Sequence, residues 1–85
     1  MALTVLYFAW VREAIGTGEE VVTPPAEVTT VAALIGWLAN RSDAHAQAFA
    51  DRAKLRAAVD QGFVSLDASI VGAREVAIFP PVTGG

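Results

Sequence analysis

Thr29-Thr30-Val31-Ala32-Ala33-Leu34-Ile35-Gly36-Trp37-Leu38 is the stretch that decides the fold. Val31, Leu34, Ile35 and Leu38 fall at i, i+3, i+4 and i+7, so a helix here gathers them into one apolar stripe that must be covered. Thr29 or Thr30 can cap its start, because a threonine hydroxyl accepts from an N–H that the first turn leaves unpaired. Upstream, Ala2 to Trp10 reads as a strand with Leu3, Val5 and Tyr7 on one face and Thr4, Leu6 and Phe8 on the other, less buried face. Val11 to Ile15 forms a helical turn with Gly16 as a left-handed stop, and Thr17-Gly18 continues the reversal. Glu20 to Thr23 is a short second strand ended by Pro24-Pro25.

Downstream, Ser42 or Asp43 can cap a short helix from Ala44 to Asp51, whose alanines and Phe49 predict shallow, peripheral burial. Leu55–Val59 and Phe63–Leu66 read as a hairpin, with Asp60-Gln61-Gly62 between them and Gly62 supplying the turn's backbone freedom. Gly72-Ala73 turns the chain into a last strand, Glu75 to Phe79. The order is an N-terminal hairpin, a helix and three more strands, which predicts an α+β domain whose sheet wraps round one main helix. A ferredoxin-like order needs a second full helix before the last strand, and none is visible.

The chain's 85 residues make a single domain, and 54% of them are hydrophobic. So small a domain cannot bury all its large apolar side chains, and those left outside are expected to gather into a patch for a protein partner. With no cysteine, neither a disulfide nor a thiolate metal site supports the fold. Six basic residues against nine acidic ones give a net charge of −3, and the cations read as unclustered. That excludes nucleic acid and favours a basic partner surface. The longest apolar runs fall far short of a membrane span, so no membrane association is expected and the chain reads as soluble and cytoplasmic.

Past the last strand, Pro80-Pro81 extend the chain, and the sequence closes on Val82-Thr83-Gly84-Gly85. Proline fixes its own φ and biases the preceding residue toward extended backbone, so the tail is aimed away from the sheet. Residues 1–81 then form the domain and residues 82–85 a flexible tail. Two glycines without Cβ pass a narrow channel and leave the last carbonyl carbon unshielded. Ordering such a tail opposes binding by roughly 1–2 kcal/mol per residue. Phe8, Phe63 and Phe79 are the candidate anchors that offset this cost, each contributing roughly 1.5–3 kcal/mol if a partner buries it. The remaining polar residues read blandly. His45 is taken as exposed and unable to join a metal site, Arg12 and Glu13 as solvated, and Asp43, Asp51, Asp60 and Asp67 as cap and turn residues. No Ser/His/Asp set or phosphate-binding loop is discernible.

Leu6-Tyr7-Phe8-Ala9, Val11-Arg12-Glu13, Gly16, Val64-Ser65, Glu75-Val76-Ala77 and Phe79-Pro80-Pro81-Val82-Thr83-Gly84-Gly85 together resemble the small subunits of molybdopterin synthases, ubiquitin-like sulfur carriers of β-grasp fold. Asp60 stands where that family commonly has Asn, and Gly72-Ala73-Arg74 where an acidic Asp-Gly-Asp turn is common. The resemblance implies that the Gly85 carboxylate is the reactive group and that Gly84 leads it into a pocket. A ubiquitin-activating type of adenylating enzyme would use ATP to make it an acyl-adenylate, and a sulfur donor would replace AMP to leave a thiocarboxylate. The tail would then deliver sulfur to a cyclic pyranopterin monophosphate inside the large subunit of a hetero-oligomer, a heterotetramer, and two deliveries build a dithiolene. Phe8, Phe63, Phe79, Pro80, Pro81, Val82 and Thr83 would meet that partner. No cofactor would be bound by the chain itself. Without cysteine a persulfide cannot form, which leaves the terminal carboxylate as the attachment point for sulfur. The rival readings are a ubiquitin-like modifier joined through Gly85 to lysines, a carrier for another pathway such as the thiazole type, and a docking domain with no reactive end.

Overall fold

The computed structural model describes residues 2–81. Its elements in chain order are β1 (Leu3–Tyr7), α1 (Ala9–Ile15), β2 (Glu19–Val22), α2 (Val31–Ala39), α3 (Asp43–Ala48), a 3-10 turn (Arg52–Lys54), β3 (Arg56–Val59), β4 (Gly62–Val64) and β5 (Glu75–Phe79). The sheet order is β2-β1-β5-β3-β4, with β1 and β5 parallel in the middle and the other pairs antiparallel. This is the mixed, helix-wrapping β-grasp sheet that the sequence predicts.

On α2 the predicted stripe is fully buried, with Val31, Leu34, Ile35 and Leu38 all at 0% exposure. They meet the inward residues of the central strands, Val5 from β1 and Val76 and Ile78 from β5, in the same core. Of the two threonines, Thr30 is the cap, and its hydroxyl accepts from Ala33 N–H at 3.1 Å. The next orphan donors of this helix end go to the connection before β5. Val31 N–H donates to the Ala68 carbonyl and Ala32 N–H to that of Leu66, at 3.0 and 2.8 Å. A backbone bond from Ile70 N–H to the Thr29 carbonyl closes the same junction, so the long β4–β5 connection is tied to the helix it crosses.

Several boundaries differ from expectation for identifiable reasons. The first strand stops at Tyr7 instead of running to Trp10, because Ala9 takes a left-handed φ of 52° and turns the chain into α1. Phe8 is therefore the N-cap of α1 and not a sheet residue, and its carbonyl accepts from the N–H of both Val11 and Arg12. Gly16 ends α1 in the left-handed conformation, as predicted. The hairpin turn puts its positive φ on Asp60 (47°) and Gln61 (74°), whereas Gly62 already belongs to β4. Asp60 also fastens the hairpin to the sheet, its Oδ1 accepting from Arg74 N–H and Glu75 N–H at 2.9 and 3.0 Å.

Neither α3 nor His45 is peripheral. Ala48 and Phe49 are core residues, and His45 is only 7% exposed. The ring of Phe49 lies 6.1 Å from that of Tyr7, so α3 covers the end of β1. His45 is buried because it has partners on two sides. Its Nε2 is 2.7 Å from Glu20 Oε2, and its Nδ1 is 2.7 Å from Ser42 Oγ, the α3 cap. Tyr7 O–H donates to the same Glu20 oxygen at 2.6 Å, and Arg41 Nε stands 3.8 Å from the other. A carboxylate only accepts, so His45 Nε2 carries a proton, and in the neutral imidazole Ser42 O–H donates to Nδ1.

Burial pushes the Glu20 carboxyl up, but hydrogen bonds from His45 and Tyr7 and the charges of His45 and Arg41 outweigh it, leaving the group below its ordinary value. Burial first, and then the neighbouring Glu20, hold the Tyr7 hydroxyl far above its ordinary value, so it remains a donor. Folding thus favours ionised Glu20. That stabilisation is complete above the ordinary carboxyl value of 4.5 and is lost as pH falls through the lower folded value.

Two outcomes follow from these features. Glu20→Gln is expected to melt below the wild type at neutral pH, with the gap narrowing as the pH falls below 4.5; a constant gap would show that the carboxylate's charge plays no part. Gln61→Gly relieves a left-handed non-glycine residue in a two-residue hairpin loop. It is expected to raise stability by about 0.5–1 kcal/mol, read as a melting-temperature rise of several degrees in a domain of this size.

Candidate docking site at the exit of β5

Alternation along β5 sets the site. Val76 and Ile78 point into the core, so Glu75, Ala77 and Phe79 point to the opposite face, where no helix among the described residues packs. The register places Ala77 beside Ala58 of β3 and Leu6 of β1, and Ala58 in turn beside Phe63 of β4. Two alanines side by side leave a low floor between taller residues. Phe8 and Ala9 rise on the β1 side, Phe63 and Phe79 on the β3 and β4 side, and Pro80 and Pro81 close the end. The result is an apolar groove of about 590 Å³ whose polar lining comes from Gln61 and the backbone.

The groove's walls are largely fixed before anything binds. Phe8 N–H donates to the Ile78 carbonyl at 3.3 Å, which holds this residue against the end of β5. Phe63 and Phe79 pack with ring centroids 5.7 Å apart and planes inclined by 52°, a geometry favourable for aromatic pairs. Even so, Phe63 is 83% and Phe8 48% exposed. A full phenylalanine in water on a small domain marks a surface awaiting a partner.

Five of the predicted partner-binding residues, Phe8, Phe63, Phe79, Pro80 and Pro81, thus line one groove. Val82, Thr83, Gly84 and Gly85, and with them the expected tail of residues 82–85, lie outside the described residues. Ala9, Ala58, Gln61 and Ala77 were not singled out from the sequence. The alternation of Ala77 with Val76 and Ile78 was the available signal, since a small residue on the outward face of a strand leaves room for a groove.

Among the described residues nothing lining the groove titrates, so they can grip a chain but supply no acid–base group. Among the described residues no cluster of three His, Asp or Glu side chains has metal-binding geometry. A serine, histidine and carboxylate do come together in Ser42, His45 and Glu20, contrary to the sequence reading. Their bonds are turned inward, however: Ser42 Oγ also accepts His45 N–H as a helix cap, and Glu20 is shared with Tyr7. The set is a clamp joining β1, β2 and α3. The cations are also less scattered than expected, for Arg52, Lys54 and Arg56 alternate along five residues.

The model of the ThiS family matches residues 5–85. The chain is 48% identical over 83 residues to a molybdopterin synthase sulfur carrier subunit of Escherichia coli (strain K12), covering 98% of this chain and 99% of the relative. A molybdopterin synthase sulfur carrier subunit of Haemophilus influenzae is 36% identical over 83 residues, with the same coverage. In three dimensions the chain resembles the crystal structure of SAMP1 from Haloferax volcanii, with a TM-score of 0.72 and 22% identity across the whole of both chains. At that identity the likeness concerns the fold alone. None of the described helices is long and apolar enough to cross a membrane.

Proposed function

Because the chain belongs to the ThiS family, we propose that it is the sulfur-carrier subunit of a molybdopterin synthase, with Gly85 as the carrying residue. The observation that supports this reading best is the preformed apolar groove at the exit of β5, from which Pro80-Pro81 lead toward Gly84-Gly85. A carrier needs a domain that a partner can hold while its end group is worked on elsewhere. The groove supplies the hold and no chemistry of its own.

The chemistry then belongs to the terminal carboxylate. A carboxylate oxygen attacks the α-phosphorus of ATP on an adenylating enzyme of the ubiquitin-activating type, and pyrophosphate leaves. A sulfur donor attacks the resulting acyl-adenylate, AMP leaves, and Gly85 ends as a thiocarboxylate. In the large subunit of the synthase, that sulfur would attack a carbon of the cyclic pyranopterin monophosphate and displace an oxygen substituent, water would hydrolyse the resulting thioester to return the Gly85 carboxylate, and two such deliveries would form the dithiolene. Glycine at positions 84 and 85 keeps Cβ atoms away from the carbonyl under attack. The chain itself holds no cofactor in this scheme; ATP belongs to the activating enzyme, and the cytoplasm is the compartment where both partners would meet it.

Incubation with the activating enzyme, ATP and a sulfur source is expected to raise the intact mass by one oxygen-to-sulfur exchange located at Gly85. Deleting Gly85, or adding one residue after it, should abolish transfer with an unchanged melting temperature. Transfer that survives either change, or thiol-resistant adducts to lysines in place of the mass shift, would overturn the carrier reading. Phe63→Ala is expected to change stability by less than about 1 kcal/mol, because the ring is already in water. The same substitution should weaken binding to the large subunit about tenfold or more in a calorimetric titration, as loss of a central aromatic anchor does.

A further inference from the structure

Arg52, Lys54 and Arg56 are three of the chain's six cations, and the fold sets them at one end of the sheet. Arg56 pairs in register with Phe79, the last residue of β5, so the stretch from Arg52 to Arg56 borders the place where the chain leaves the sheet. The three side chains go to different neighbours. Arg52 lies against α2, its Nη2 3.4 Å from the position a Cβ on Gly36 would take. Lys54 is exposed and is the only lysine in the chain. Arg56 lines a recess of about 240 Å³ together with Phe63 and Phe79, on the flank of the main groove.

Among the described residues these cations have no carboxylate within ion-pair distance, since both recorded salt bridges, from Arg41 and His45, go to Glu20. Arg56 donates from Nη1 to the carbonyls of Ala53 and Leu55, at 3.1 and 2.8 Å, which orients its guanidinium and leaves its other N–H groups available. Asp51 immediately precedes the stretch, and its Oδ1 accepts the Ala53 N–H as the cap of the 3-10 turn. Cations without a carboxylate partner beside an apolar anchor make the arrangement that charge-steered protein contacts use.

We propose that Arg52, Lys54 and Arg56 form a basic rim that steers an acidic face of the synthase large subunit onto the groove. The proposal rests on the carrier reading. It reverses the sign that the net charge of −3 predicts for the partner, because the acidic residues that set that net charge are distributed over the rest of the chain.

The experiment compares Lys54→Glu with Arg74→Glu, which change net charge equally at opposite ends of β5. Association with the large subunit is followed by stopped flow at low and high salt. The wild-type rate constant is expected to fall about tenfold or more between roughly 20 and 300 mM salt, as steered encounters do. Lys54→Glu should be slower than the wild type by a similar factor at low salt and converge with it at high salt, whereas Arg74→Glu should stay within about twofold throughout. Lys54→Gln, with an intermediate loss, guards against a fold defect in the reversed variant, and melting temperatures check all three. Equal behaviour of the Lys54 and Arg74 variants, or a wild-type rate indifferent to salt, would overturn the basic rim. A wild type that fails to bind the large subunit at all would instead overturn the carrier reading on which it rests.

Discussion

Everything in this domain depends on the burial of one helical stripe against the two central strands. Val31, Leu34, Ile35 and Leu38 lose all contact with water, and Val5, Val76 and Ile78 lose theirs against them. At roughly 1.5–3 kcal/mol for each large aliphatic side chain, the four helix residues alone match the net stability of an ordinary domain. The chain has no disulfide to fall back on. The same constraint determines what remains outside. With one face of the sheet committed to α2, no helix among the described residues covers the opposite face, and the apolar residues there are free to become a docking surface.

The two polar arrangements of the molecule contrast with each other. On the core side, Tyr7, Glu20, His45 and Ser42 satisfy one another in a chain that reaches from the end of β1 through β2 to α3. No buried polar side-chain atom is left without a partner among the described residues. Such a closed network favours one packing over its alternatives because each broken bond would leave a desolvated group behind. On the outer side, the charged groups beside the groove are not closed in this way. The first arrangement holds the domain together and the second faces outward.

The legible part of the fold was what local patterns carry. The helical spacing of α2, the alternation in β1 and β5 and the glycine stop of α1 each rest on a few neighbouring residues, and each appears in the structure. The elements that escaped depend on partners far along the chain or on residues without a signature. His45 is buried because Glu20, 25 residues away, waits beneath it. Ala9 carries a left-handed backbone without being a glycine, so the break between β1 and α1 had no mark, and Phe8 was assigned to a strand it does not occupy. The site was legible in its aromatic walls and prolines. Its floor was not, since Ala58 and Ala77 become neighbours only through the β3–β5 register.

The central position of β5 has a mechanical consequence. It is hydrogen-bonded on one side to β1, parallel to it, and on the other to β3. A pull applied beyond Pro81 therefore loads β5 along its own axis, in shear against two neighbours at once, and the backbone bonds on both flanks share the force instead of opening one after another. A strand at the sheet's edge would peel away under the same load. Whatever is attached beyond Pro81 is thus hung from the part of the domain best able to bear a pull.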